Sequence, residues 1–189
     1  MIKIGILGDI GSGKSFVAKE FGYPVFNADY EVSKLYQQDK KIFKKLKKIL
    51  PKYIDVFPIN KNQITDSILS NKSNLKKIVK IVHSEVRKRM WLFIKKNKNK
   101  KVLVFDIPLL LENKISDKSF VLVFVDSKKS DILKRLKNRP NYNKKLLEKF
   151  KKIQFSLEYK KRKSQFVIKN KFSKKSVKTS VNSILKKIL

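Results

Sequence analysis

The sequence predicts an α/β protein in which a five-stranded parallel sheet forms the middle of a three-layer fold. Uninterrupted apolar runs recur along the chain, as is typical of parallel strands buried on both faces. Lysine-rich segments of helical spacing separate these runs, so that strands and helices alternate. A glycine-rich loop lies directly between the first run and the first helical segment. The predicted strands are 2–7, 25–26, 102–106, 120–126 and 166–168.

The glycine-rich loop has the Walker A pattern G-x-x-x-x-G-K-[ST] and reads Gly8-Asp9-Ile10-Gly11-Ser12-Gly13-Lys14-Ser15. Its glycines allow backbone N–H groups to turn towards an anion, and the positive end of the following helix favours the same charge. Lys14 can reach the β- and γ-phosphates of a nucleoside triphosphate, and Ser15 can ligate the bridging Mg²⁺. The loop, with Phe16 after it, is therefore predicted to bind a nucleoside triphosphate.

Composition favours a cytosolic enzyme. The 189 residues include no cysteine, which excludes disulfides, thiolate metal sites and cysteine nucleophiles. Lysines interrupt every apolar run before it reaches the length of a membrane span, and the N-terminus passes straight into a strand without a signal peptide. We therefore expect a cytoplasmic location and no membrane partner.

The net charge of +33 predicts non-specific binding of polyanions at low salt. The basic residues are spread over the whole chain, and no basic tract interleaved with aromatic residues stands out. We therefore favour a lysine-rich compositional drift over a specific nucleic-acid partner.

Asp29 follows the second predicted strand, in the segment Asn27-Ala28-Asp29. The carboxyl ends of strands in open α/β sheets face the ligand crevice, so Asp29 is expected beside the phosphate loop. Two interpretations stay open at this point. Asp29 is either a general base or Mg²⁺-shell ligand, or the N-cap of a helix that begins at Tyr30.

Residues 30–98 contain no strand pattern, and apolar spacing predicts helices at 42–50 and 74–94. We interpret their apolar stripes as core rather than as membrane-surface faces. The second helix carries His83 and Arg87. His83 is by default an orienting or structural side chain, with a catalytic role as the alternative, and Arg87 is a candidate phosphate clamp.

Further candidate residues follow the third and fourth strands. Asp106 ends the third strand like a Walker B carboxylate, and Glu112 is predicted in the helix or turn after it. After the fourth strand, Arg135 and Arg139 are expected on one face of a helix, where they suit an anion or are solvated surface charges. A long basic helix is predicted over 142–163, and an amphipathic helix over 172–189 closes the chain.

Taken in order, these segments resemble the dephospho-coenzyme A kinase family over nearly the whole chain. The phosphate loop is similar to the family's first motif, and Ile107-Pro108-Leu109-Leu110-Leu111-Glu112 is similar to its P-L-L-[FV]-E segment. Further matching positions are Asn27-Ala28-Asp29-Tyr30, Ile81-Val82-His83, Arg135 with Arg139, Gln154, and Phe166-Val167-Ile168-Lys169-Asn170. The ordered set is more specific than the phosphate loop alone.

The resemblance implies a P-loop kinase fold and ATP-dependent phosphorylation of the ribose 3′-hydroxyl of dephospho-CoA. It implies Asp29 as the base, Lys14, Arg135 and Arg139 as cations on the transferred phosphoryl group, and Ser15 as the Mg²⁺ ligand. It also implies that Asn170 lies near the adenine of ATP and that the acceptor side comprises His83, Arg87, Leu109 and Glu112. The expected organisation is one domain, with a core at 1–29, 99–134 and 164–189, an acceptor-binding insertion at 30–98 and a lid at 135–163. We expect a monomer or small homo-oligomer.

Several positions depart from the family pattern. Asn27 replaces a usual Asp, which leaves Asp29 as the candidate base, and Ser84 replaces a Pro. Phe16 replaces a hydroxyl residue and Asp9 a Gly, and each change is predicted to weaken ATP binding by about 1 kcal/mol. Two alternatives stand beside this interpretation: another P-loop nucleoside or nucleotide kinase, and a basic nucleotide-dependent nucleic-acid-binding protein.

Overall fold

The computed structural model describes residues 1–140 and 142–189, without the side chain of Lys72. The chain divides into two compact units. The first consists of Met1–Asn27, Asn97–Tyr142 and Lys151–Leu189, and the second of Ala28–Lys96 and Asn143–Phe150. The division into core, insertion and lid stays a prediction, and Asn141, inside the predicted lid, lies outside the described residues.

The first unit contains a five-stranded parallel sheet, which confirms the predicted fold class. Its strands are β1 Ile2–Gly8, β2 Val25–Asn27, β3 Val102–Asp106, β4 Phe120–Asp126 and β5 Phe166–Lys169. Their order across the sheet is β2-β3-β1-β4-β5. The strand that leads into the phosphate loop is therefore central, with a neighbour on each side.

Nine helices accompany the sheet in the described residues. They are α1 Lys14–Glu20, α2 Ala28–Gln38, α3 Lys40–Ile49, α4 Lys61–Ser70, α5 Lys72–Lys96, α6 Lys129–Lys137, α7 Lys144–Lys152, α8 Leu157–Lys163 and α9 Lys174–Ile188. None of them, over the part of the chain described, combines the length and apolarity that crossing a bilayer requires.

Both faces of the sheet are packed, as the uninterrupted apolar strands predict. Ile4 and Ile6 of β1 join the core cluster that includes Val17 of α1 and Val181 of α9. Gly5 points to the opposite face, because side chains alternate along a strand. A Cβ atom at Gly5 would lie 2.5 Å from the Cδ2 atom of Leu110, so that face is also filled.

The carboxyl ends of the strands gather polar groups at one edge of the sheet. The register pairs Asn27 of β2 with Asp106 of β3, and Gly8 of β1 with Val125 of β4. In the adjacent pair, Asp126 of β4 lies beside Lys169 of β5. This edge carries the phosphate loop, as expected for the ligand-binding edge of an open parallel sheet.

Two helix predictions in the C-terminal half are wrong. Arg135 lies in α6, but α6 ends at Lys137 and Arg139 lies beyond it, so the two arginines do not share a helix face. Pro140 explains the early end, because proline disfavours helical backbone in the residue before it. The predicted helix over 142–163 is two helices, α7 and α8, separated by residues 153–156. The hydroxyl of Ser156 accepts a hydrogen bond from Tyr159 N–H and starts α8 anew.

The second unit contains α2 to α5, and its described residues contain no strand, as predicted for 30–98. The predicted helices at 42–50 and 74–94 correspond to α3 and α5. Helix α4 is not predicted from the apolar spacing, although Asn60 and Gln63 form a capping box at its start. Helix α2 begins at Ala28, so Asp29 lies in its first turn, and the N-cap interpretation of Asp29 is wrong.

Candidate functional site

The phosphate loop depends on backbone conformations that glycine permits. Gly13 has a φ of 89°, in the left-handed region that side chains disfavour. A Cβ atom at Gly13 would lie 2.5 Å from Nδ2 of Asn170 and 3.2 Å from Cε1 of Phe172. The loop is therefore held tightly against the segment that follows β5, and position 13 has no room for a side chain.

Lys14 holds its ammonium group against the loop. Its Nζ atom donates hydrogen bonds to the carbonyl oxygens of Asp9, at 2.7 Å, and Gly8, at 3.2 Å. Neutral carbonyls are weaker acceptors than phosphate oxygens, because a hydrogen bond between two charged groups is shorter and stronger. A bound polyphosphate can therefore take over this ammonium group, as a Walker A lysine requires.

Asn170 and Ser127 support the loop from behind. The carbonyl oxygen of Ser12 accepts hydrogen bonds from Nδ2 of Asn170 and from the hydroxyl of Ser127, each at 2.9 Å. Asn170 is 2% exposed, and its own N–H donates to the carbonyl of Asp126 at 2.7 Å. The family resemblance implies that Asn170 lies near the adenine, and Ser127 is not among the residues predicted from the sequence. Both residues fix the backbone of the phosphate loop.

Asp9 places a carboxylate in the loop with two partners. Its Oδ1 atom accepts a hydrogen bond from Ile10 N–H at 2.7 Å, and its Oδ2 atom lies 3.7 Å from Nζ of Lys151. The Asp9 side chain is only 15% exposed. Lys151 offsets part of the negative charge that Asp9 brings near the predicted triphosphate site.

Helix α6 packs on the loop and carries Arg135. A Cβ atom at Gly11 would lie 2.9 Å from Cγ of Leu136, so the apolar face of α6 contacts the loop directly. The guanidinium carbon of Arg135 lies 4.3 Å from the centre of the Phe172 ring, within the range of a cation–π contact. This contact holds the exposed Arg135 on the side of α6 that meets the segment after β5, and Arg139 is exposed beyond the helix.

Oxygen ligands suited to Mg²⁺ lie at the end of β3 and in the first turn of α1. Asp106 is 4% exposed, and its Oδ2 atom accepts a hydrogen bond from Nδ2 of Asn27 at 2.7 Å. Ser15 is exposed. Among the described residues, no group of three or more His, Asp or Glu side chains could enclose a metal. Mg²⁺ is typically held by one or two protein oxygens together with substrate phosphates, so this sparse donor set fits it.

Leu109 and Glu112 lie in a turn after β3, at 108–114. Oε1 of Glu112 accepts hydrogen bonds from Phe155 N–H at 2.8 Å and from Nζ of Lys160 at 2.9 Å. Nζ of Lys160 also donates to Oε1 of Gln154 at 2.8 Å. Lys160 is not among the residues predicted from the sequence, because nothing in a lysine-rich helix marks which lysine is buried.

Asp29, His83 and Arg87 belong to the second unit. An ion pair of 3.0 Å between Glu31 and Arg89 joins α2, which carries Asp29, to α5, which carries the other two. His83 and Arg87 line an open concavity of about 410 Å³, together with Lys80, Ser84, Lys88 and Trp91. Trp91, which is not among the residues predicted from the sequence, is 62% exposed beside these basic side chains. The concavity combines positive charge with an aromatic surface, which suits an anionic nucleotide.

Comparisons with known proteins identify the family to which this chain is similar. The family model described as "Dephospho-CoA kinase" matches residues 2–176. A dephospho-CoA kinase from Wolbachia sp. subsp. Brugia malayi is 36% identical over 187 residues, covering 96% of this chain and 95% of the relative. A crystal structure from Thermus thermophilus covers 100% of this chain and 98% of its own, with a TM-score of 0.77 at 23% identity. The Campylobacter jejuni dephospho-CoA kinase covers 98% and 96%, with a TM-score of 0.64 at 21% identity.

The two structural likenesses show the fold, and the two sequence matches extend over nearly the whole chain. The phosphate loop, the turn that contains Glu112 and the segment up to Asn170 all fall within the matched residues. By this match, the chain belongs to the dephospho-CoA kinase family.

Proposed function

We propose that this chain transfers the γ-phosphoryl group of ATP to the ribose 3′-hydroxyl of dephospho-CoA, giving coenzyme A and ADP. The single observation that carries the proposal is the family match over residues 2–176. The geometry of the phosphate loop supports it, because the loop is built to hold a polyphosphate beside a lysine.

On ATP, the loop amides and the start of α1 surround the phosphates, and Lys14 exchanges its contacts with loop carbonyls for the β- and γ-phosphates. Arg135, on the helix packed against the loop, neutralises charge on the transferred group, with Arg139 as a second cation. Phosphoryl transfer requires this kind of electrostatic positioning more than covalent chemistry. The contact of Asn170 with the adenine stays part of the proposal.

Mg²⁺ would be held by the hydroxyl of Ser15, with Asp106 ligating through water. The ion would neutralise phosphate charge and orient the γ-phosphoryl group. Asp106 is suited to this role because it is buried at the end of β3, where the Asn27 amide fixes one of its oxygens.

On the acceptor, Asp29 accepts the proton of the 3′-hydroxyl as the phosphoryl group moves. Its position in the first turn of α2 supports a charged carboxylate, because a helix N-terminus favours negative charge. His83 and Arg87 bind anionic parts of dephospho-CoA, and Leu109 and Glu112 complete the acceptor side.

The test is transfer of labelled γ-phosphate from ATP by the purified protein. We expect labelled coenzyme A when dephospho-CoA is the acceptor, and no comparable product with a panel of nucleosides and nucleotides. Preferential labelling of a nucleoside or nucleotide would favour the alternative P-loop kinase. ATP-dependent changes in polynucleotide binding without any phosphoryl transfer would favour the nucleic-acid-binding alternative.

We also propose that the enzyme works in the cytoplasm as a monomer or small homo-oligomer. Light scattering during size-exclusion chromatography measures the oligomeric state. Polyanion binding from the +33 net charge should fall steeply as salt is raised, because it depends on counterion release.

A further inference from the structure

A buried ion pair joins α8 to the turn after β3. Lys160 is 1% exposed and the Glu112 side chain 8%, with 2.9 Å between Nζ and Oε1. Helix α8 packs on β1 and β4, which explains the burial of Lys160. Desolvation of two charges offsets most of their attraction, so a buried pair is often no more stabilising than apolar residues of similar volume. Stability alone is therefore a poor explanation for this pair.

Only one of the two carboxylate oxygens of Glu112 accepts hydrogen bonds from the described residues. Both of its donors, Phe155 N–H and Nζ of Lys160, bind Oε1. Oε2 is buried and has no hydrogen-bond partner among the described residues. The other buried side-chain atoms without a hydrogen-bond partner are the hydroxyl oxygens of Ser12 and Ser67, so among the described residues only Glu112 has a buried carboxylate oxygen without a partner. A buried acceptor without a partner requires an explanation, and a ligand donor is one.

We propose that Lys160 is a positioning residue for Glu112. Together with Phe155 N–H it saturates Oε1, fixes the orientation of the carboxylate, and reserves Oε2 for a hydroxyl or amino group of the nucleotide acceptor. Lys160 acts only through Glu112. This inference rests on the proposed function, in which Glu112 belongs to the acceptor side. Oε2 is enclosed in this structure, so the acceptor reaches it when the turn at 108–114 or the break at 153–156 shifts.

Gln154 strengthens this assignment. Its Oε1 atom accepts the second hydrogen bond of Lys160 Nζ, so two acceptors hold the ammonium group beside Oε1 of Glu112. Gln154 and Phe155 both lie in the break between α7 and α8, within the predicted lid. The same contacts therefore tie the position of Glu112 to the position of this break.

Three variants test the inference by steady-state kinetics and thermal unfolding. Glu112→Gln keeps an acceptor oxygen for Lys160 but replaces the unpaired oxygen with a donor. We expect its KM for dephospho-CoA to rise about tenfold, with the KM for ATP within about twofold of the wild type. Lys160→Met should raise the same KM and also lower the Tm, because it leaves a buried charge unpaired. The double variant Lys160→Met with Glu112→Met should recover most of the Tm but keep the raised KM.

Lys161→Met is the matched control. Lys161 is the neighbouring residue and forms an ion pair of the same length, 2.9 Å, with Asp126, but it is 51% exposed. Removing it deletes the same charge from the same helix without touching Glu112. We expect wild-type KM values for both substrates.

A double variant with a wild-type KM for dephospho-CoA would overturn the inference, because the pair would then serve stability alone. A parallel rise of the KM for ATP in Glu112→Gln would overturn it as well. Calorimetric titration with dephospho-CoA distinguishes failure of this inference from failure of the proposed function. Wild-type protein that binds no dephospho-CoA contradicts both proposals, whereas equal binding by wild type and Glu112→Gln contradicts only the role of Glu112 and Lys160.

Discussion

Substitution of Gly13 by alanine should damage both the fold and ATP binding. The backbone at Gly13 has a φ of 89°, where a side chain costs roughly 1–2 kcal/mol. The new Cβ atom would lie 2.5 Å from Nδ2 of Asn170, which must shift and weaken its hydrogen bond to the carbonyl of Ser12. Overpacking of this kind costs about 1–3 kcal/mol. We therefore expect Gly13→Ala to lower the free energy of unfolding by about 2–5 kcal/mol.

Gly22→Ala provides the matched control. Gly22 has a φ of 73°, but a Cβ atom there would have no neighbour within 4 Å. The free energy of unfolding of Gly22→Ala should therefore fall only by the cost of the left-handed backbone conformation, about 1–2 kcal/mol. This variant should bind ATP normally. Urea unfolding measures the free energies, and calorimetry measures ATP affinity, which should fall at least about tenfold in Gly13→Ala alone. Equal destabilisation of the two variants with unchanged ATP affinity would refute the argument that the loop is closely packed against Asn170.

Three further substitutions test individual roles. Asp29→Asn should lower kcat by about 10²–10⁴ without changing ATP affinity, and near-normal turnover would remove Asp29 as the base. Asp9→Asn keeps an oxygen for Ile10 N–H but removes the charge near the phosphates, so the Kd for ATP should fall about fivefold, equivalent to about 1 kcal/mol. An unchanged Kd would mean that Lys151 already neutralises Asp9. Arg135→Gln should lower kcat more than it raises the KM for ATP, since Arg135 is assigned to charge on the transferred group, and loss of affinity alone would place it in ground-state binding.

The sequence was sufficient to predict the sheet and the phosphate loop because both depend on local patterns. Strand β3, Val102–Asp106, is apolar up to its last residue, as a strand buried on both faces requires. The spacing of Gly8, Gly13 and Lys14 specifies the loop, since each residue type is required at its own position. The helices at 42–50 and 74–94 follow from regular apolar spacing.

Boundaries within the lysine-rich segments were harder to predict. Pro140 signals the end of α6, and Ser156 signals the start of α8. Both signals compete with helical spacing of apolar residues that continues on either side. The capping box of Asn60 and Gln63 is likewise present in the sequence, but the apolar residues of α4 show only a weak helical spacing. In each case a proline or a single polar contact decides the boundary. Whether this local signal outweighs the helical spacing of apolar residues depends on the tertiary structure.

The sequence by itself determined that this chain folds as a parallel α/β protein around a nucleotide-binding loop. The spacing of apolar residues and the spacing of glycines are both properties of short segments. Only the tertiary structure decided which charges are buried and which atoms support the loop. Lys160 differs from Lys161 in burial and not in residue type, and Asn170 reaches the carbonyl of Ser12 from 158 positions along the chain. The cost of removing a charge from water and the geometry of a long-range hydrogen bond depend on surroundings that no short stretch of sequence contains.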